Sequence, residues 1–256
     1  MSRGLSRGLS RGLSRGETQE LGQVTDELAQ VTEGKISEEQ ELAQVTDDEI
    51  SEDEAHESKD ETHEADEDHD PGQAHGGGGT PSLMAPLASL QTGHTTKSQP
   101  VLRWYISGPC TDKIEFTLNE YGVTEPVLEM HIPGPDKEGV YEIDLAKHNV
   151  TLKPDVEYEW YIVIVPLPDE RSADFLGSAT IKYVKPSDEL SARLANVTTD
   201  KLYYEYAKEG YWYDAIETLS RLIDESPEDK TLRSHRVALL DQVKLGKVVD
   251  YDRKQL

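Results

Sequence analysis

VEYEWYIVIV, residues Val156–Val165, sets Val156, Tyr158, Trp160, Ile162 and Ile164 on one side and Glu157 and Glu159 on the other. A period of two belongs to a β-strand with one buried and one wet face, because successive side chains of a strand point in opposite directions. The same alternation recurs upstream. Leu102, Trp104 and Ile106 alternate with Arg103, Tyr105 and Ser107, while Ile114, Phe116 and Leu118 alternate with Lys113, Glu115 and Thr117. Leu128, Met130 and Ile132 oppose Glu129 and His131, Tyr141, Ile143 and Leu145 form a further row, and a sixth strand is predicted from Leu176 to Val184. Turn signals such as Pro133-Gly134-Pro135, Lys153-Pro154-Asp155 and Pro166–Pro168 join them without crossover helices. Six short antiparallel strands over residues 100–185 predict an all-β sandwich of the immunoglobulin or fibronectin kind.

Beyond Pro186 the period changes from two to 3.6, which predicts a helical segment over residues 186–247 and a tail over 248–256. Leu190, Leu194 and Val197 mark a first short helix. Asp200 is positioned to cap a second helix, and a third follows Gly210 with Ala215, Ile216, Leu219, Leu222 and Ile223 on one face. Ser226, with Pro227 after it and Asp229 completing a capping box, starts a fourth carrying Leu232, Leu239 and Val243. Tyr206, Gly210, Ala215 and Pro227 have the spacing of a tetratricopeptide-like helical hairpin, which Trp212, Tyr213 and Asp214 complete locally. A solenoid needs several such repeats, so a single hairpin must pack on the sandwich or on the fourth helix.

Upstream of residue 100 the composition changes abruptly. The chain has 256 residues, a formal net charge of -25 and 35% hydrophobic residues, and its 3 Trp, 12 Tyr and 2 Phe all lie at or beyond Trp104. A charge-rich segment without aromatics cannot offset its ordering entropy, so residues 1–99 read as a disordered acidic region and linker. Within it, Ser-Arg-Gly-Leu units repeat to Gly16, and LAQVTEGKISEEQE (Leu28–Glu41) is duplicated as LAQVTDDEISEDEA (Leu42–Ala55). Over Glu17–Asp70, 22 acids face only Lys35 and Lys59. His56, His63, His69 and His75 are interleaved with or follow these acids and are weak candidates for divalent cation binding. The Asp66-x-Asp68-x-Asp70 run is not a calcium loop, since Pro71 and Gly77 occupy the positions that need Gly and Glu. Gly76 to Gln99 reads as linker.

These pieces, taken in order, resemble a known family. YAKEGYWYDAI (Tyr206–Ile216), Trp104-Tyr105, Phe116-Thr117-Leu118, Gly139 with Ile143 and Leu145, Tyr158-x-Trp160 and Arg171-Ser172-Ala173-Asp174 are similar to the signatures of domain of unknown function family 928, of the cyanobacterial type. The resemblance covers Pro100 to about Leu245. Where members often carry a cysteine this chain has Val165-Pro166, and where they carry Trp after a glycine it has Gly177-Ser178. The resemblance implies a sandwich followed by helices, often extracytoplasmic, although no secretory signal is legible in this chain. It implies no established activity.

Composition narrows function by exclusion. No apolar run approaches the roughly 20 residues that span a bilayer, so membrane insertion is not expected. So negative a chain is not expected to bind nucleic acid. Cys110 alone supports neither a disulfide nor a multi-cysteine zinc site. His94, His131, His148 and His235 sit in no catalytic motif, and Arg171 with Asp174 reads as a salt bridge. The expectation is a non-catalytic protein-interaction or scaffold module, without catalytic residue or cofactor. Of the aromatics crowded between Tyr203 and Tyr213, Tyr206 and Trp212 should pack inward, leaving Tyr204 and Tyr211 for a protein partner. The alternative is a hydrolase or carbohydrate-processing protein using carboxylates on the sandwich, such as Glu157 and Glu159.

Titration calorimetry of the full chain with calcium or zinc should show weak, salt-sensitive heats, since diffuse acidic charge binds cations by screening-sensitive attraction. A saturable micromolar site abolished by His63→Ala and His69→Ala would instead establish a specific metal site.

Overall fold

The computed structural model describes residues 81–256, so the readings made for residues 1–80, the four histidines among them, lie outside the described residues. The strands are β1 (Met84–Pro86), β2 (Gly93–Thr95), β3 (Val101–Ile106), β4 (Lys113–Glu120), β5 (Leu128–Ile132), β6 (Gly139–Asp144), β7 (Glu157–Val165) and β8 (Phe175–Tyr183). They form a three-stranded sheet in the order β1-β3-β6 and a five-stranded sheet in the order β2-β8-β7-β4-β5. The alternating side chains of β3, β4 and β7 close one core between the sheets, with Leu102, Trp104, Phe116, Leu118, Trp160 and Ile162 almost fully buried. Each aliphatic or phenylalanine side chain so buried contributes about 1.5–3 kcal/mol.

All six strands read from the alternation are present. Two more are not legible there, because β1 and β2 lie within residues read as linker. They are three residues long, too short to show a period, and tertiary contact makes them strands. β1 pairs antiparallel with β3, and β2 pairs parallel with β8, so the second sheet is mixed rather than purely antiparallel. The folded part therefore begins ahead of Gln99. Gly177 explains how β1 fits, since a Cβ there would lie 2.9 Å from Pro86 Cδ, closer than real contacts allow.

Five helices follow: α1 (Asp188–Asn196), α2 (Leu202–Lys208), α3 (Trp212–Glu225), α4 (Lys230–Gln242) and α5 (Gly246–Arg253). Ser187 caps α1 by accepting from Leu190 N. Asp200 falls in a single tight turn before α2 instead of capping it. Asp229, not Ser226, caps α4, its carboxylate accepting from Thr231 N and Leu232 N, while Ser226 closes the end of α3. The stretch read as a tail beyond residue 247 belongs to α5, where Val248, Val249 and Asp252 are buried.

The helices also correct the expected wet face of β3. Arg103 is buried because α3 contacts β3 directly and its acids neutralise the arginine, and Tyr105 is buried with its ring against Tyr251 of α5. Arg103 Nε donates to Glu217 at 2.6 Å, Nη1 to Asp224 at 3.0 Å, and Nη2 lies 3.2 Å from Glu142. Ala215, Ile216, Leu219 and Ile223 give α3 its buried stripe, at the spacing a helix needs to present one face.

A chain beginning at Gln99 lacks β1, β2 and every contact they make. Its melting temperature should fall by on the order of 10 °C relative to the full chain, the shift that a few kcal/mol produces in a domain of this size. Equal melting by circular dichroism would show that β1 and β2 add nothing to the fold.

Candidate functional site

The start of α3 is the point where the helices are fixed to the sheets. Tyr213 Oη accepts from Trp160 Nε1 at 2.9 Å and donates to Thr180 O at 3.0 Å. Burial pushes the Tyr213 hydroxyl upward in pKa, so it stays a neutral donor. Its ring lies where Gly93 has no side chain; a Cβ at Gly93 would sit 2.6 Å from Tyr213 Cε2. Trp212 Nε1 donates to Leu87 O at 2.9 Å, and Asp214 accepts from Thr96 N at 2.7 Å and Thr96 Oγ1 at 3.0 Å. Burial pushes the Asp214 carboxyl up, against the opposing pull of Lys97 and the Thr96 hydrogen bonds.

These contacts draw in Tyr211, one of the two aromatic residues expected at a partner surface. Tyr211 is only 9% exposed. Its hydroxyl donates to Lys185 O at 3.4 Å and its ring lies 6.4 Å from His94, because the residue preceding α3 is drawn onto the sheet margin with the helix. Tyr204 is half-buried, as are Tyr203, Tyr206 and Trp212, and Tyr213 is buried. Tyr203 Oη lies 2.6 Å from His235 Nδ1; burial pushes this tyrosine up to about 12 and pulls the histidine down. Gly210 stands at φ 79 between α2 and α3, a conformation suited to glycine.

A concave site lies elsewhere, between α5 and the ends of β1 and β3. It is a cleft of about 710 Å³. Tyr105, 2% exposed, forms its floor; its hydroxyl donates to Glu138 Oε1 at 2.5 Å, and its ring packs 5.5 Å from that of Tyr251. Burial, then the Glu138 carboxylate, push the Tyr105 hydroxyl strongly upward. On one side Ser82 and Ser107 hydroxyls meet at 3.2 Å. On the other, Lys247, Asp250 and Lys254 line the opening from one face of the α5 segment, as residues three, four and seven apart do on a helix. Arg253 also lines it but pairs with Asp241 at 2.7 Å. Lys247, Asp250 and Lys254 make no ion pair among the described residues.

What holds that wall in place is buried. Asp252, at the back of α5, accepts from Arg236 Nε at 2.7 Å and Nη2 at 2.6 Å, and from Arg233 Nη1 at 3.4 Å. Arg236 Nη1 reaches Ser220 Oγ at 3.1 Å, so one carboxylate ties α5 to α4 and, through the arginine, to α3. Sequence reading missed this site because its parts come from four separate segments. The unread signal is Val248-Val249 followed by Asp252, two apolar residues and an acid on one face of a short helix.

The remaining candidates are scattered. Glu157 and Glu159 stand on the outer face of the five-stranded sheet, where Thr92 donates to Glu157 at 2.8 Å and the Tyr161 hydroxyl bonds Glu159. Cys110 is buried, and burial pushes its thiol up. His131 and His148 are exposed. Among the described residues no three His, Cys, Asp or Glu side chains gather as metal ligands, and no helix is long and apolar enough to cross a membrane.

Arg171 is in ion pairs, as its sequence context suggests, with Asp174 at 2.8 Å and with Glu115 at 2.8 Å. Hydrogen bonds from Arg171 and then Lys113 hold the Glu115 carboxyl at about 2, against an ordinary value of 4.5. A depressed carboxyl stabilises the fold above its unfolded pKa and loses that contribution as pH falls through the folded one, here between about 4.5 and 2. Arg171→Ala should raise the Glu115 titration midpoint in a carboxyl-detected NMR experiment and flatten the acid loss of stability over that window. At pH 7 it should leave stability nearly unchanged, because the pair is solvent-exposed. An unmoved midpoint would show that Lys113 alone sets it.

No curated protein matches the chain. The match to a family model spans residues 72–252, which takes in β1, β2 and most of α5 together with the six strands and the other helices. The chain therefore belongs to the family described as Domain of Unknown Function (DUF928).

Proposed function

We propose that the folded part is a non-catalytic protein-interaction module whose recognition surface is the cleft between α5 and the three-stranded sheet. One observation carries this reading: Lys247, Asp250 and Lys254 line a concave space and form no ion pair among the described residues, while Asp252 on the same helix is fully engaged behind them. Charges held on a rigid support and left unpaired give orientation and specificity to an encounter more than raw affinity. The chemistry fits a polypeptide that brings a carboxylate to the two lysines and a donor to Asp250. The rigid floor, Tyr105 bonded to Glu138, supplies a fixed shape and takes no part in chemistry, since its proton is held tightly.

The hydrolytic alternative has weaker support. Glu157 and Glu159 are each engaged by a neighbouring hydroxyl on an outward sheet face, away from the cleft. Within the binding reading we take the two sheets as a variant of the immunoglobulin or fibronectin sandwich, and α2 with α3 as a tetratricopeptide-like hairpin. The turn at Gly210 and the buried Ala215 support the hairpin.

The full chain and its Lys247→Glu/Lys254→Glu variant, immobilised in parallel, test the proposal against extract of the native source. Proteins retained by the first should bind the second roughly tenfold less, the effect of about 1.4 kcal/mol. Melting should be unchanged, because both side chains are exposed. Equal retention of every captured protein would overturn the assignment of the cleft.

A further inference from the structure

β5 is an edge strand. It pairs with β4 from Leu128 to Ile132 and, among the described residues, with no strand on its other side. Such an edge presents a row of backbone donors and acceptors, and proteins blunt it with prolines, charges or a covering segment. Here Pro126 and Pro133 bound the edge without entering it. Its side chains alternate: Leu128, Met130 and Ile132 are half-buried against the core, and Glu129 and His131 are exposed.

The sequence of this edge is complementary to itself. Two copies that meet antiparallel on a two-fold axis must keep the core-facing rows on one side, so each pair joins residues of the same face. Centring on Glu129 would put two carboxylates directly opposite each other. A centre on His131 opposes two imidazoles and sets Glu129 against Pro133, which has no N–H to give. Only a centre on Met130 pairs all five residues. In that register Glu129 of each copy faces His131 of the other, Leu128 faces Ile132, and Met130 faces itself. A carboxylate directly across from an imidazole N–H can accept a hydrogen bond from it, whereas two carboxylates directly opposite repel.

We infer that β5 is a self-association edge, through which two copies of this chain join their five-stranded sheets into one continuous sheet centred on Met130. The margin where Leu128, Met130 and Ile132 are half-buried would then be covered by the same three residues of the second copy. A five-residue edge buries little area, so the dimer is weak and reversible. Each copy carries a net charge of -25, so the dimer forms more readily as salt screens the long-range repulsion. This inference is independent of the cleft.

Sedimentation equilibrium of the full chain at moderate salt tests it. The natural sequence should show concentration-dependent dimers. His131→Glu opposes carboxylates twice and should raise the dissociation constant at least about tenfold. The double variant E129K/H131E sets an ammonium against each new carboxylate in place of two opposed carboxylates and should restore association to at least the natural level. Both side chains are exposed, so melting should be the same for all three proteins. A strictly monomeric natural chain, a dimer indifferent to His131→Glu, or a double variant that fails to recover would each overturn the proposal.

Discussion

The hydroxyl of Tyr213 is the constraint on which the layers of this protein depend. It accepts a hydrogen bond from Trp160 in the core between the sheets and donates one to the carbonyl of Thr180 on β8. A buried polar atom must find such partners or cost the fold its desolvation energy. Tyr213 satisfies both Trp160 and Thr180 and, in doing so, seats the first turn of α3. Trp212 and Asp214 on either side then bind Leu87 and Thr96, the residues next to β1 and β2. Two strands too short to stand alone are thereby included in the sheets, and Gly93 is the concession that admits the ring.

Buried charge does the same for the rest of the helical layer. Arg103 is enclosed by Glu217, Asp224 and Glu142, and Asp252 by Arg236 and Arg233. Taking such groups out of water is expensive, and the energy returns only when geometry and hydrogen bonds are complete. These clusters specify where α3 and α5 sit more than they add net stability. The internal charges of α5 are committed to its back, while Lys247, Asp250 and Lys254 line the cleft at its front. The face of α5 toward the cleft is thus defined by the face away from it.

The six main strands were legible from alternation alone, because a half-buried strand imposes a period of two that no other element shares. Helix α3 was legible from its apolar stripe, and Gly210 marked the break before it correctly. Asp229 replaced Ser226 as a cap because its carboxylate reaches two backbone amides at once. The cleft was not legible. Ser82, Tyr105, Glu138 and Lys247 belong to segments far apart in the chain, and no local pattern signals that they converge. Tyr211 misled for a related reason: aromatic density shows that rings must be placed somewhere, but not which of them the sheet margin covers.

By itself the sequence determined which segments are extended and which are helical, because these depend on periodicity and on capping chemistry within a few residues. It determined equally that the acids cluster ahead of the aromatics. The tertiary structure alone decided that β1 and β2 exist, that Arg103 and Tyr105 lie beneath helices, and that α5 faces a cleft. Each of these depends on what a distant segment places opposite, and a side chain's burial is a property of its neighbours in space.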